Sequence, residues 1–322
     1  MQAPDFWLKG GPLSVLLAPL GWLWAVGARH RATSCKPWKA PVPVVCVGNL
    51  VAGGAGKTPV ACSVARLLPG AHFLSRGYGG SEKGPLLIDP HRHRARQVGD
   101  EPLLLSAFAP CWVAADRVAG VKAAVAAGAS CIVMDDGFQD PSLHFDVALL
   151  IVDGHVGFGA GRCIPAGPLR EPVEQGVRRA TAAVILGDDR RKVAARLGTL
   201  PVLRARLEPE AEADVLKGQQ VVAFAGIGRP EKFFHSLRSL GAELIETYDF
   251  PDHHLYHPSE VSELIELAEK HAAVLITTAK DKVRIPFHLQ EQVAVLRITV
   301  TWDDEAALMM ALAPALRGSA AR

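Results

Sequence analysis

The feature that most constrains the fold is the stretch PVVCVGNLVAGGAGKTP, residues 43 to 59. An apolar run typical of a buried strand leads into a glycine-rich turn, and Lys57 and Thr58 then open the helix-like segment PVACSVARLL. Glycines let backbone N–H groups wrap around phosphate, while the lysine neutralises its charge and the hydroxyl is placed to bind Mg²⁺. The residues predicted to bind a nucleotide are Gly53, Gly54, Ala55, Gly56, Lys57, Thr58 and Pro59.

One position departs from the usual form of such a loop. The first glycine of the pattern G-x-x-x-x-G-K-T falls at Val51, and the chain instead carries the pair Gly53 and Gly54. A glycine-rich turn without a ligand is the alternative interpretation. The order of strand, loop and helix favours the phosphate-binding one.

A second apolar run, CIVMDD at residues 131 to 136, ends in two carboxylates. Enzymes with such a loop use acids at the end of a strand to hold a metal ion beside the phosphates. Asp135 and Asp136 are therefore predicted, together with Thr58, as a Mg²⁺ site. Their alternative role is that of a polar strand end or a helix cap.

The chain as a whole alternates apolar runs with helix-like stretches, which predicts an α/β protein with a mostly parallel sheet covered on both faces. Helices are expected at 114 to 127 and at 259 to 271. Polar residues at 205 to 218 suggest a boundary, so we expect segments at 1–40, 41–208 and 209–322, the last a smaller α/β domain. The predicted strands are 44–47, 131–134, 148–152, 183–186, 221–225, 274–277 and 295–298.

Residues 11 to 28 carry no charge and are followed by Arg29 and Arg31. As one helix they would span roughly 27 Å, slightly less than a bilayer core, and two prolines weaken the helix further. Tryptophan favours the headgroup boundary, so we expect a helix lying in one leaflet. A cleaved signal peptide and a buried core helix are the alternatives. The tryptophans in or beside this run are Trp7, Trp22, Trp24 and Trp38.

Composition limits the partners and the compartment. The formal net charge of +2 gives no reason to expect a nucleic acid as partner. None of the six cysteines forms a C-x-x-C pair, so they are interpreted as small buried apolar residues of a protein in a reducing, cytosolic compartment.

Three further segments are ambiguous when taken alone. Asp100 and Glu101 in VGDEP fit an exposed acidic turn as well as a site. The segment FPDHHLY, residues 250 to 256, suggests zinc, but no further ligands stand near it at suitable spacing. AFAGIGRPE, residues 223 to 231, lacks the third glycine of a dinucleotide fingerprint and is interpreted as strand, turn and helix.

Taken together, several motifs resemble the tetraacyldisaccharide 4′-kinase family of lipid A biosynthesis. The motifs follow the family's order from about residue 10 to residue 285, and the doubled glycine of the loop also belongs to this family. They are GNLVAGGAGKTP, SRGYGG, VGDEPLLL, DDGFQ, IPAGPLREP and FPDHH.

The resemblance implies transfer of the γ-phosphoryl group of ATP to the 4′-hydroxyl of a tetraacylated glucosamine disaccharide 1-phosphate, giving lipid IVA. It also implies a P-loop NTPase-type α/β/α sandwich with a second, smaller α/β/α domain, an active site in the cleft between them, and an N-terminal membrane-associated helix. The expected location is the cytoplasmic face of the bacterial inner membrane.

Site residues carry over by position. Lys57 and Thr58 hold phosphate and Mg²⁺, and Asp135 and Asp136 belong to the metal site. Asp100 and His253 together act as the catalytic base. Five more positions match the family's site without a definite role, namely Glu101, Arg117, Gln139, Arg170 and Glu171.

Three positions depart from the family, and any role for them is in doubt: Asp140, Ala160 and Ala279. Two other classes share part of the pattern. A P-loop GTPase or partition-type ATPase would have the loop and the paired acids, but the chain shows no N-K-x-D motif to recognise guanine. A non-catalytic nucleotide-binding module at a membrane would lack a base.

Overall fold

The computed structural model describes residues 4 to 320, so residues 1–3 of the predicted first segment and 321–322 of the last lie outside it. The strands are β1 Val44–Gly48, β2 Ala71–Ser75, β3 Leu86–Leu87, β4 Cys111–Val113, β5 Cys131–Asp135, β6 Val147–Asp153, β7 Ala182–Leu186, β8 Val202–Pro209, β9 Gln220–Ala225, β10 Glu243–Asp249, β11 Val274–Thr278, β12 Ala294–Leu296 and β13 Ile298–Trp302.

The α-helices alternate with these strands along most of the chain. They are α1 Asp5–Lys9, α2 Pro12–Leu16, α3 Ala18–Thr33, α4 Lys57–Arg66, α5 Ala95–Val98, α6 Asp100–Ser106, α7 Arg117–Ala126, α8 Val173–Arg179, α9 Pro230–Ser239, α10 Pro258–Lys270, α11 Ala279–Lys282 and α12 Glu305–Ala320. Short 3₁₀ turns lie at Ala194–Arg196, Ala211–Leu216 and Phe287–Gln292.

The larger sheet has nine strands in the order β13-β8-β7-β6-β1-β5-β2-β4-β3. All neighbours are parallel except β13 with β8 and β3 with β4, which pair antiparallel at the two edges. The strand β1 lies between β5 and β6, and all five of its residues are buried. Parallel strands end at the same edge of a sheet, so the loops after β1, β5, β6 and β7 gather there.

Helices cover both faces of this sheet. Apolar residues of α4, α6 and α12 pack with the sheet in one core cluster, while α7 and α8 lie in the clusters of the other face. The predicted α/β class with a mainly parallel sheet is confirmed.

The smaller sheet has four parallel strands in the order β10-β9-β11-β12. Phe233 and Leu237 of α9 pack on one face, and Val261 and Leu264 of α10 pack on the other. Pro230 stands in the first turn of α9, as expected for a strand, turn and helix after β9. This second unit therefore also has helices on both sides of its sheet.

The predicted last segment, 209–322, differs from the structure at its end. The expected strand 295–298 is two strands separated at Arg297: β12 completes the small sheet, whereas β13 pairs with β8 of the large one. The following helix α12 buries Leu308 and Leu312 in the core of the large sheet. The apolar run continues through the break, so its pattern alone could not show that the chain changes sheets.

Five strands have no counterpart among the predictions: β2, β3, β4, β8 and β10. Strand β8 alternates in exposure, β10 has no buried residue, and β3 is only two residues long. Strands that are exposed on one face or very short have a weak apolar signal.

The N-terminal segment forms two helices, α2 and α3, rather than one. In these helices only Ser14 and Gly21 are buried, which excludes a core helix. None of the helices within residues 4 to 320 combines the length and apolarity needed to cross a membrane. Gly21 packs where a Cβ would lie 2.7 Å from the carbonyl oxygen of Cys163, so the helix backbone approaches that loop closely.

Five of the six cysteines are buried, as expected, but Cys35 is exposed. It lies just after α3, where the chain crosses the surface before β1. The prediction that all six are buried is wrong at that position.

Candidate active site

The glycine-rich turn joins the end of β1 to the start of α4. Gly56 precedes α4 with a φ of 79°, and a Cβ there would lie 2.5 Å from a side-chain carbon of Leu186. Gly53 also has a positive φ, 120°, but faces open space. Glycine is therefore required at Gly56 by both conformation and packing, and at Gly53 by conformation.

The first turn of α4 contacts the end of β5. The hydroxyl of Thr58 donates to Oδ2 of Asp135 over 3.0 Å, and both side chains are buried. The other oxygen, Oδ1 of Asp135, is buried without a hydrogen-bond partner within residues 4 to 320. Burial raises the pKa of Asp135 to about 6, an effect that Lys57 opposes and Asp136 strengthens.

Asp136 is held by two cations. Its Oδ1 accepts from Arg170 over 2.8 Å, and its Oδ2 lies 3.7 Å from Nζ of Lys57. Burial would raise the pKa of Asp136, but the charges of Lys57 and Arg170 lower it below its ordinary value. Asp136 has a φ of 57°, a left-handed conformation that is uncommon outside glycine and concentrates at functional sites.

Three of the residues without a definite role form a chain of contacts to Asp136. Gln139 accepts from Arg170 over 3.3 Å and donates to Glu171 over 3.0 Å and to the carbonyl of Asn49 over 2.9 Å. Glu171 is buried and pairs with Arg179 at 2.7 Å. This network fixes the guanidinium that holds Asp136.

Arg117 begins α7 and is buried. Its NH1 donates to the carbonyl of Ala114 over 2.7 Å, and its Nε lies 3.8 Å from Asp140. Burial lowers its pKa, while the nearby charge of Asp140 opposes that effect. Asp140 departs from the family pattern yet partners a predicted site residue here. Ala160 contributes its backbone N–H to Trp7, and Ala279 opens α11, so neither brings a functional side chain.

Asp100 and His253 come together from the two domains. Asp100 opens α6 beside the large sheet, and its Oδ2 lies 2.9 Å from Nδ1 of His253, which follows β10 of the small sheet. The hydrogen bond to Asp100 raises the pKa of His253. Burial alone would raise the pKa of Asp100, but hydrogen bonds from His253 and Glu101 and the charge of Arg284 hold it well below its ordinary range. His253, like Asp136, has a positive φ, 63°.

Glu101 lies next to this pair, 2.5 Å from Nζ of Lys280 on α11. Within residues 4 to 320, Asp100, Glu101 and His253 are the one group of three acids or histidines close enough to share a cation. Both carboxylates already pair with basic side chains, Lys280 and Arg284, so the group has little charge left for a metal ion. His254 contacts Glu260 instead, and the zinc interpretation of FPDHHLY gains no support.

The two groups of charged residues are parts of one site. Burial alone would lower the pKa of Lys280. The negative charges of Glu101, Asp100 and Asp135 outweigh that effect and raise its pKa above the ordinary value. Asp135 therefore acts electrostatically on the same ammonium group as the acids of α6. The aspartates after β5 and the acids of α6 are therefore close enough for their charges to act on one another.

A cavity of about 360 Å³ opens on the other side of the glycine-rich loop. It lies at the carboxyl ends of β6 and β7 and is lined by Gly54, Asp153, Leu186, Arg229 and Lys232. Arg229 reaches from the small domain to Asp153 of the large one, 2.6 Å away. This ion pair joins the two domains at the edge of the cavity.

Comparison with known proteins decides the family. A family model described as tetraacyldisaccharide-1-P 4′-kinase matches residues 13 to 317. The chain belongs to the tetraacyldisaccharide 4′-kinase family. The resemblance found in the sequence motifs is thereby confirmed, and with it the assignment of an ATP-dependent kinase.

Relatives within this kinase family match nearly the whole chain. A tetraacyldisaccharide 4′-kinase of Rhodospirillum centenum is 52% identical over 99% of this chain and 98% of its own. One from Gluconacetobacter diazotrophicus is 53% identical over 94% of this chain and 95% of its own. The crystal structure of LpxK from Aquifex aeolicus in complex with ATP has a TM-score of 0.79, with 29% identity, covering 95% of this chain and all of that one.

Several residues at the site were not found in the sequence. Arg229, Lys280 and Arg284 of the small domain pair with acids of the large one, Asp153 and Asp281 pair with two of these arginines, and Arg179 pairs with Glu171 within the large domain. The sequence signals for them are Asp153 at the end of the apolar strand β6 and the charged run KDKVR, residues 280 to 284, shortly after the apolar strand β11. Charges at the carboxyl end of a parallel strand are candidates for a site.

Proposed function

We propose that this protein transfers the γ-phosphoryl group of ATP to the 4′-hydroxyl of tetraacyldisaccharide 1-phosphate, forming lipid IVA in lipid A biosynthesis. The observation that carries the proposal is the contact of Asp100 with His253, 2.9 Å apart and contributed by different domains. Its neighbour Lys280 also responds to the charge of Asp135 at the end of β5. A nucleotide-binding module without catalysis has no use for such a pair. The P-loop NTPase-type fold of the large domain is part of the same proposal.

The phosphates would lie against the glycine-rich loop. Backbone N–H groups at the start of α4 and the ammonium of Lys57 supply the positive charge that phosphates need. Lys57 is now paired with Asp136 at 3.7 Å, a long contact that a γ-phosphate could replace. The cavity at Asp153 and Arg229 would take the base and ribose, since it adjoins the loop.

The residues present fit Mg²⁺. Oδ1 of Asp135 is buried with no hydrogen-bond partner in the described part of the chain, and the Thr58 hydroxyl binds the other oxygen of the same carboxylate, so two hard oxygen donors lie together at the start of α4. Thr58 and Asp135 would hold the ion, with Asp136 as a further candidate. When bound, the ion would neutralise charge on the transferred phosphoryl group.

Asp100 and His253 would handle the acceptor. In the transfer, the bond between the 4′-oxygen and the γ-phosphorus forms while the bond from that phosphorus to the β-phosphate bridging oxygen breaks and its electron pair stays on ADP. The hydroxyl proton passes to the Asp100–His253 pair, which acts as one coupled unit. The transition state is loose, so the carboxylate chiefly orients the attacking oxygen.

The N-terminal helices would place the enzyme on a membrane surface, the cytoplasmic face of the bacterial inner membrane. Large apolar side chains are exposed there: Leu13, Val15, Leu16, Leu20, Trp22, Leu23, Trp24 and Val26. The same helices contact the site loop, since Trp24 Nε1 donates to the carbonyl of Arg170 over 2.9 Å. A lipid acceptor held in the bilayer would thus lie close to the cleft.

The direct test is a transfer assay. Purified protein is incubated with labelled ATP and tetraacyldisaccharide 1-phosphate, with Mg²⁺ or with excess chelator. We expect label on the lipid only when both substrates and Mg²⁺ are present. Release of labelled phosphate without labelled lipid would contradict the proposal.

A further inference from the structure

Arg284 lies between the two domains and is almost completely buried, with 1% of its side chain exposed. It belongs to the small domain, where it follows α11. Its Nε donates to Oδ2 of Asp100 over 2.9 Å, and its NH2 donates to the same oxygen. Its NH1 donates to the carbonyl of Gly226 over 2.8 Å and to Asp281 over 3.1 Å.

The small domain fixes this guanidinium through Asp281. That carboxylate is fully buried and accepts from the backbone of Gly226 over 2.9 Å and from the hydroxyl of Tyr256 over 2.8 Å. Thr278 donates to its other oxygen over 2.5 Å. Arg284 is therefore oriented by groups of its own domain and presents a rigid pair of donors to the other one.

The contacts divide the two oxygens of Asp100 between different partners. Oδ2 accepts from Arg284 and contacts Nδ1 of His253. Oδ1 accepts the backbone N–H of Glu101 over 3.2 Å, whereas the contacts from the small domain go to Oδ2. A carboxylate oxygen has two lone pairs, and the groups from the small domain already occupy those of Oδ2. Oδ1 is therefore the oxygen that can still accept a hydrogen bond from a hydroxyl group.

We propose that Arg284 is a positioning residue that orients the Asp100 carboxylate, so that Oδ1 faces the acceptor hydroxyl only when the small domain is closed against the large one. This inference rests on the proposed function. The acceptor-orienting group is thus completed by a residue that touches neither ATP nor the lipid. Domain closure then controls the catalytic group itself and not only access to the cleft.

Charges around Asp100 agree with this role. The groups facing it are Glu101 on its own helix and His253 and Arg284 from the small domain, with Asp281 and Lys280 behind them. Arg284 keeps the carboxylate ionised, which suits a group that orients a hydroxyl better than one that must bind its proton tightly. Removing Arg284 should raise the pKa of Asp100 and move the acidic limit of activity to higher pH.

The alternative is that Arg284 only stabilises the small domain through Asp281. Chemical rescue separates the two roles. We expect Arg284→Ala to lower kcat by about 100-fold while the KM for ATP stays within about threefold, because a misplaced carboxylate costs orientation and not nucleotide binding. Adding guanidinium ions at roughly tens of millimolar should raise the kcat of Arg284→Ala about tenfold. The same addition should not raise the kcat of Asp100→Ala.

Arg284→Lys and Arg297→Ala complete the experiment. The lysine keeps the charge but loses the paired donors, so kcat should still fall by about tenfold. Arg297 is an exposed arginine between β12 and β13 and should tolerate the change. If Arg284→Ala does not fold, the lysine variant decides.

Two results would overturn the role of Arg284: a kcat within about threefold of wild type in either variant, or a loss in Arg284→Ala that guanidinium leaves unchanged. Transfer by the wild-type protein tests the proposed function, and the ratio of variant to wild type tests Arg284. A failure of one is therefore distinguishable from a failure of the other.

Discussion

His253 Nδ1 lies 2.9 Å from Oδ2 of Asp100, across 153 residues of sequence and from the other domain. Each residue alone fits an ordinary surface turn. Together they form a contact between an acid and an imidazole that joins the two domains. This contact is the basis of the first prediction.

Asp100→Ala and His253→Ala should each lower kcat by orders of magnitude and leave ATP affinity nearly unchanged. Because the two residues act as one unit, the double variant should be no worse than the more severe single one. Steady-state kinetics and nucleotide binding measure both effects. His288→Ala, an exposed histidine of the same domain, is the control. Losses that multiply as for independent residues would contradict the pair.

The contact should also depend on pH in a defined direction. Asp100 raises the pKa of His253 from 6.5. The contact therefore stabilises the folded protein fully below about pH 6.5, and this stabilisation is lost as pH rises through the raised pKa. The lowered pKa of Asp100 works in the opposite sense: its effect is present above its ordinary 3.8 and is lost only in stronger acid. The melting temperature difference between wild type and His253→Gln should therefore be largest near about pH 6 and shrink by about pH 9. A constant difference would refute this.

Lys57→Ala should reduce transfer by about 10²-fold to 10³-fold. The ammonium belongs to the loop itself, 3.7 Å from Asp136, and would neutralise the charge that develops on the phosphoryl group. Single-turnover transfer of label measures the step directly. Lys270→Ala, at the exposed end of α10, should be neutral. Near-normal turnover of Lys57→Ala would be incompatible with the kinase mechanism.

Arg229→Ala should weaken ATP binding more than it slows transfer. Arg229 pairs with Asp153 at the edge of the cavity beside the loop, and it is half exposed, so the pair alone contributes little to stability. We expect the KM for ATP to rise about threefold to tenfold with kcat changed less. Arg238→Ala, an exposed arginine in the last turn of the same helix, is the matched control. An unchanged KM would show that the cavity does not bind the nucleotide.

Leu16→Glu combined with Trp22→Glu should release the protein from membranes. These side chains are 75% and 66% exposed, and a charge on such a face opposes insertion into a leaflet. Binding to vesicles containing anionic lipid should fall by about tenfold or more, with ATP affinity unchanged. Met310→Glu, 72% exposed on α12, controls for a lost apolar surface elsewhere. Equal vesicle binding by both proteins would exclude this surface as the anchor.

The sequence by itself determined the features that depend only on residues close together in the chain. The strand, glycine turn and helix at 43–59 follow from local spacing, and so do the acids that end β5. Alternation of apolar runs and helices established the α/β class. The motif order established the kinase family.

The tertiary structure alone decided how distant segments meet. The return of β13 to the large sheet and the burial of Arg284 against Asp100 join parts of the chain that share no local pattern. Such contacts arise from how two domains pack, and the residues involved carry no periodicity that would mark them. A charge beside a strand end is visible in a sequence, but the carboxylate it holds, 184 residues away, is not.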